Sequence, residues 1–357
     1  DITMTVGVIA GVDGSTNFGT LSTVAGTVTQ LAFTTQPGGA VYGSLLSPQP
    51  VVKTQDQFGN NSTNGLAASL DVTLTLTGTG GLQGTATLDI GTGAGNGVVT
   101  FSDLAVDEVG TGNYLTASAA DLASDDSETF DINPLPITVT ADSQTKVYGD
   151  NDPALTYTVS PSLISGDAFT GTLSRVSGED VGTYEIQQNT LTAGNNYIIT
   201  YVSDDLTITK KEITITADAG QTKIYGETDP ATFAYTFSPA LIGTDTFTGA
   251  LSRVAGENVG DYAFTIGTLD AGTNYNLSVA TAPTFSITPL SITGNFTADN
   301  KTYDGNTNAV ILTQTLNGVI GEDDVALTGG TASFADANVA NGITVTASNM
   351  TLSGTAA

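Results

Sequence analysis

The side chains in this sequence with the most chemical potential are carboxylates. They gather near turns at Asp121, Asp125 and Asp126, at Asp204 and Asp205, and at Glu322, Asp323 and Asp324. Hard oxygen donors of this kind suit calcium, which stiffens many extracellular arrays. None of the clusters has EF-hand or glycine-aspartate nonapeptide spacing, so a plain solvated loop is the competing reading at each. Paired carboxylates can also cleave glycosides, yet no motif sets a nucleophile beside a base, and small modules filled by their own cores leave no deep cleft. Cysteine, histidine and tryptophan are absent. That excludes disulfides, thiolate and imidazole metal sites, and Ser-His or Cys-His catalysis. The expectation is a protein that is not an enzyme and needs no cofactor, with calcium the one ion to consider.

Basic residues are few enough to read singly. Arg175 and Glu179, like Arg253 and Glu257, flank Val-Ser-Gly or Val-Ala-Gly, a hairpin-turn sequence. Arginine can reach glutamate across such a turn, and an exposed pair contributes at most about 1 kcal/mol. A sugar or peptide contact is the functional alternative. Lys146, Lys223 and Lys301 each stand two residues before a tyrosine. Some surface adhesins join a buried lysine to asparagine in an isopeptide bond, but a lysine snorkelling beside the tyrosine is the plainer expectation. Tyr184 and Tyr262 begin strands after Val-Gly, and Tyr114 follows Val109-Gly110. Each is expected to bury its ring and tie its hydroxyl to nearby backbone, as core and not as a ligand contact.

These residues are positioned by a repeating frame. Ile213-Thr214-Ile215-Thr216-Ala217-Asp218 is followed by Lys223-Ile224-Tyr225-Gly226. Upstream, Ile137-Thr138-Val139-Thr140-Ala141-Asp142 precedes Lys146-Val147-Tyr148-Gly149, and downstream Ile292-Thr293 precedes Lys301-Thr302-Tyr303-Asp304-Gly305. Apolar and polar residues alternate in each copy, the pattern of a half-buried strand. A fixed period of this size marks tandem modules. Before them, short alternating runs from 27 to 132 are separated by Gln36-Pro37-Gly38-Gly39 and Asp56-Gln57-Phe58-Gly59-Asn60, giving seven strands in about a hundred residues, the count of an immunoglobulin-like sandwich. The fold class is all-β: a tandem array of small β modules.

Several motifs carry resemblances. Phe33-Thr34-Thr35-Gln36-Pro37-Gly38, Asp56-Gln57-Phe58-Gly59-Asn60, Gly97-Val98-Val99-Thr100-Phe101-Ser102-Asp103-Leu104 and Tyr114-Leu115-Thr116-Ala117-Ser118 resemble bacterial Ig-like repeats of large surface adhesins. Glu179-Asp180-Val181-Gly182-Thr183-Tyr184 aligns with Glu257-Asn258-Val259-Gly260-Asp261-Tyr262, and Ala193-Gly194-Asn195-Asn196-Tyr197 with Ala271-Gly272-Thr273-Asn274-Tyr275. Those two copies resemble MBG repeats of the Tyr-Gly type, which implies a β-grasp-like fold. The third resembles the related YDG repeat but lacks the Arg-Glu pair. The expected division is 1–26 as a leading strand (Ile2, Met4, Val6 and Val8 alternating) with a connector, 27–134 as the Ig-like sandwich, 135–210 and 211–289 as the two MBG-type repeats, and 290–357 as a YDG-type repeat incomplete at its C-terminus.

Composition narrows the function classes. Acids outnumber bases 36 to 8, for a net charge of -28. Such a chain repels phosphate backbones and anionic headgroups, so neither nucleic acid nor membrane insertion is expected. The resemblance implies a non-catalytic stalk segment of a secreted bacterial cell-surface adhesin, its partners being neighbouring modules or other copies of the same protein. A rod of four modules, each roughly 30 Å across, would be about 120 Å long. Two alternatives stand beside it. One is a filament subunit joined head to tail by strand addition. The other is a carbohydrate- or matrix-binding module with host or environmental glycans as partners, for which tryptophan platforms are missing.

Overall fold

A computed structural model describes residues 24–356, and every regular element in it is a β-strand. The strand expected over residues 2–8 lies outside the described residues. The chain forms two compact units, Asp1–Gln144 with Ala154–Ser177 and Tyr184–Leu206, and Thr145–Pro153 with Gly178–Thr183 and Thr207–Ala357. The division does not follow the repeat boundaries, since residues between 135 and 210 contribute to each unit.

The first unit opens with two sheets. One is antiparallel, ordered β1 (Val28–Thr35), β3 (Val51–Asp56), β7 (Val98–Thr100). The other runs β2 (Ala40–Val41), β11 (Phe130–Asn133), β9 (Gly110–Ser118), β4 (Asp71–Thr77), β6 (Thr87–Asp89), with β10 (Asp125–Asp126) also on β9. A ribbon of β5 (Leu82–Gln83) and β8 (Ala105–Val106) completes the set. Alternation decides the faces: in β4, Val72 and Leu74 are buried and Thr75 is exposed. β5 and β6 are separated at Gly84, where φ is +94° and a Cβ would sit 2.3 Å from the Asp103 carbonyl oxygen.

From β11 the chain passes into β12 (Leu135–Ala141), which pairs antiparallel with β14 (Tyr157–Ser160) and parallel with β17 (Tyr197–Val202). Parallel neighbours require a long crossover. Here it carries the hairpin of β15 (Ser174–Arg175) and β16 (Gly182–Gln187), so strands stand where a β-grasp would place a helix. One buried cluster runs from Val52, Phe101, Leu115 and Ile132 on to Ile137, Val139 and Tyr197.

In the second unit, residues after β13 (Gln144–Val147) meet the end of β18 (Asp205–Thr209), with the Tyr148 amide donating to the Thr209 carbonyl at 2.9 Å. The plan then repeats. β19 (Lys211–Ala217) pairs antiparallel with β21 (Tyr235–Ser238) and parallel with β25 (Tyr275–Val279). A second sheet orders β20 (Thr222–Ile224), β26 (Phe285–Thr288), β23 (Gly260–Tyr262), and β22 (Ser252–Arg253) pairs β24 (Phe264–Thr265). Ile213, Ile215, Phe264, Phe285 and Ile287 fill the core, with Phe233 edge-on to Phe264 and Phe285. Each such side chain contributes about 1.5–3 kcal/mol when fully buried.

The last stretch is built differently. Among the described residues β27 (Thr293–Ala298) pairs only with β29 (Ile311–Asn317), while β28 (Asn308–Ala309), β30 (Ala326–Phe334) and β31 (Val345–Ser353) form a separate sheet. No side chain from 290 to 356 is fully buried.

Candidate functional site

The repeated cations are the first candidates. Lys223, the central residue of β20, and Arg253, at the end of β22, are buried, 5% and 8% exposed. Arg253 donates from Nε and Nη2 to Asp229 at 2.7 and 2.8 Å, and from Nη2 to Glu257 at 2.9 Å. Lys223 Nζ lies 2.8 Å from Asp229 and also meets Glu257. The Arg253–Glu257 pair, expected as an exposed contact across a turn, is thus half of a four-residue ion cluster whose cations are buried. The guanidinium also lies 5.0 Å from the Tyr262 ring centroid and 5.1 Å from that of Phe285. In the preceding repeat Lys146 Nζ contacts Asp152 at 2.7 Å and Glu179 at 2.5 Å, and Arg175 lies 5.2 Å from the Tyr184 centroid.

These contacts set the protonation states. Bonds to Asp152 and then Glu179 raise the Lys146 pKa, and Asp229 and then Glu257 raise that of Lys223. Arg253 and then Lys223 hold the Asp229 carboxyl below its ordinary range, and Lys223 and then Arg253 do so for Glu257. In both repeats the ammonium is held between two carboxylates. Lys301 instead clips its own loop, 2.7 Å from Asp304 and donating to the carbonyls of Asn306 and Asn308, each at 3.0 Å.

The tyrosines expected as core are half-buried. In β9 the inward residues are Asn113, Leu115 and Ala117, which puts Tyr114 on the other face. Tyr184 and Tyr262 each pack against an arginine, half-buried Arg175 and buried Arg253. The Tyr262 hydroxyl does tie to backbone, donating to the Asn258 carbonyl at 2.7 Å.

The acid clusters are engaged locally. Asp125 accepts from the Phe33 amide at 2.8 Å, Asp126 from Thr116 Oγ1 at 2.6 Å and Asp204 from the Asp205 amide at 2.8 Å. Asp324 accepts from the Thr355 amide at 3.2 Å, while Asp121 and Glu322 are exposed. Among the described residues no three acids converge on a common point.

What does recur is a joint that the sequence reading missed. In the first unit the Tyr42 and Tyr197 hydroxyls donate to the same oxygen, Asp167 Oδ2, at 2.9 and 2.5 Å, with the rings edge to face. Tyr197 Oη accepts from the Ile164 amide at 2.9 Å, and Asn196 Oδ1 accepts from the Val109 amide at 3.0 Å. The second unit repeats this set. Tyr148 and Tyr275 donate to Asp245 Oδ2 at 2.9 and 2.6 Å, the Ile242 amide donates to Tyr275 Oη at 2.8 Å, and the Val181 amide to Asn274 Oδ1 at 2.9 Å. A third, simpler copy has Tyr225 donating to Asp323 at 3.0 Å. In each, the glycine after the tyrosine has φ between +81° and +85° and receives the tip of an isoleucine: Gly43 and Ile164, Gly149 and Ile242, Gly226 and Ile320. Burial and the neighbouring carboxylate push the Tyr197 and Tyr275 pKa values up to about 12.

The readable signal was an Ile-x-x-Asp tetrad at 164–167, 242–245 and 320–323, in equal steps along the chain. The arrangement can hold surfaces together.

Residues 137–207 and 213–286 match the MBG domain (YGX type), and residues 286–357 match the YDG domain. These stretches are two MBG domains followed by one YDG domain. No curated protein matches the chain.

Proposed function

We propose that this chain is a non-catalytic stalk segment of a secreted bacterial surface adhesin, in which Tyr-Gly/Ile-x-x-Asp joints dock each domain on the next. The observation that carries this reading is the threefold recurrence of one joint, made of side chains suited to holding and not to reacting. The MBG and YDG matches support a repeat segment of a surface protein. Residues 27–134 serve as an Ig-like domain ahead of the MBG repeats, and the partners are neighbouring domains of the same protein. A net charge of -28 keeps such a polymer soluble. Small-angle scattering of the intact chain tests the stalk: four domains of roughly 30 Å in line give a maximum dimension of about 120 Å. A maximum near half that value would overturn it.

A further inference from the structure

We infer that residues 27–134 and an MBG domain end in one common docking face, and that this face takes either MBG domain of the chain as its downstream partner. Elsewhere the two plans differ. β4 lies between antiparallel neighbours β6 and β9, whereas β19 lies between antiparallel β21 and parallel β25. At the end that meets the next domain they coincide. β2 runs parallel and β9 antiparallel to β11, just as β20 runs parallel and β23 antiparallel to β26. The register agrees too: Val41 stands opposite Asn133 and Ile224 opposite Thr288, each the last residue of its strand.

The two faces that carry an MBG domain present the same groups. Val41-Tyr42-Gly43 recurs unchanged as Val147-Tyr148-Gly149. The Tyr42 amide donates to the Asn133 carbonyl and the Tyr148 amide to the Thr209 carbonyl, each at 2.9 Å. On the other flank Glu108-Val109-Gly110-Thr111 matches Asp180-Val181-Gly182-Thr183, and each valine amide donates to an asparagine, Asn196 or Asn274. The receiving side repeats as closely. Its tyrosine ring meets the incoming one at 5.5 Å and 78° in the first joint and at 5.4 Å and 81° in the second. A single residue, Pro134 or Lys210, separates the last strand of one domain from the first of the next. The amide after it donates to the same asparagine's carbonyl, Leu135 to Asn196 at 2.9 Å and Lys211 to Asn274 at 3.0 Å.

A Tyr-Gly turn, a strand-end carbonyl and one valine amide make these contacts, and different folds can carry the same small set of groups. An MBG domain meets them with Asn-Tyr and Ile-x-x-Asp and receives the same groups from either neighbour. The partner of the face on residues 27–134 is an MBG domain with those two motifs. The second one, with Ile242, Asp245, Asn274 and Tyr275, fits it as the first does. Interchange rests on the docking role of the joints given above, but its test is separate from that of the stalk. A compact intact chain in scattering would remove the stalk without changing whether Val109 finds Asn274.

The test deletes residues 135–210, which joins Pro134 to Lys211 and keeps the one-residue spacing. Amide hydrogen exchange is then followed at Val109, whose acceptor Asn196 has been removed. In the deletion variant this amide should bond to Asn274 and exchange about tenfold more slowly than when Asn274→Ala is added. In the intact chain Asn274→Ala should leave Val109 unchanged, because Asn196 serves it there. A second variant replaces residues 135–209 by another copy of 211–288, so the number of domains is preserved. There too Val109 should depend on the asparagine of the inserted copy. Exchange at Val109 that ignores that asparagine in either folded variant would overturn the interchange. So would the failure of both variants to fold.

Discussion

Ile242 fills the space that a side chain on Gly149 would need: a Cβ there would lie 2.5 Å from Ile242 Cδ1 and 2.6 Å from Cγ1. The glycine is also held at φ +85°. Gly149→Ala should therefore suffer twice, losing about 1–2 kcal/mol to the left-handed backbone and about 1–3 kcal/mol more to overpacking. Gly272→Ala is the control, since φ there is +90° and nothing lies within 4 Å of the added carbon. Urea denaturation should show the larger loss for Gly149→Ala, partly restored by adding Ile242→Ala. Equal losses would mean that the isoleucine gives way freely.

The two hydroxyls on Asp245 are not equivalent. Tyr275 donates to the carboxylate and also accepts from the Ile242 amide, whereas Tyr148 makes only the first bond. Tyr275→Phe should cost about 2–3 kcal/mol, because it leaves a part-buried amide unpaired, and Tyr148→Phe about 1–2 kcal/mol. The ordering, read from melting or urea midpoints, is the check.

The joints should open in alkali. Tyr197 and Tyr275 are raised to about 12 in the folded chain, above the ordinary 10. Their contribution to stability is complete below pH 10 and is lost as pH rises toward 12. Tyrosinate absorbance should rise in two phases, the later one coinciding with loss of near-ultraviolet circular dichroism. In a Tyr197→Phe, Tyr275→Phe double variant that later phase should shrink.

The ion cluster predicts the opposite limb. Asp229, held low chiefly by Arg253, and Glu257, held low chiefly by Lys223, stabilise the fold above the ordinary carboxylate range, and that contribution fades as pH falls below about 4. Arg253→Met should lose about 1–3 kcal/mol at neutral pH, the scale of hydrogen bonds to charged groups, since the carboxylates it leaves are part-exposed and keep Lys223. It should also lose less than the parent chain on acidification. Denaturation midpoints at pH 7 and pH 3.5 measure both.

Calcium should change little. Asp125, Asp126, Asp204 and Asp324 already accept protein hydrogen bonds. A ligand that binds only the folded chain would raise its apparent stability, so melting in millimolar calcium and in chelator should agree. A rise of several degrees with calcium would establish a site.

The sequence by itself determined the all-β class and which residues alternate inward. Side-chain alternation is a local property with a period of two, so Val72 and Leu74, or Ile213 and Ile215, could be turned inward without knowing their neighbours. The recurring Lys-x-Tyr motif likewise marked the repeats, because a tandem array writes each domain in consecutive residues. What the tertiary structure decided is which side chains meet. Tyr148 finds Asp245 97 positions away, and Arg253 is buried because Asp229, 24 positions back, arrives with a second carboxylate and a lysine. Tyr114, Tyr184 and Tyr262 stop half-buried for the same reason: a ring's burial depends on what the opposite strand and sheet present to it. That partnership is fixed by long-range packing, to which a local pattern of residue types is blind.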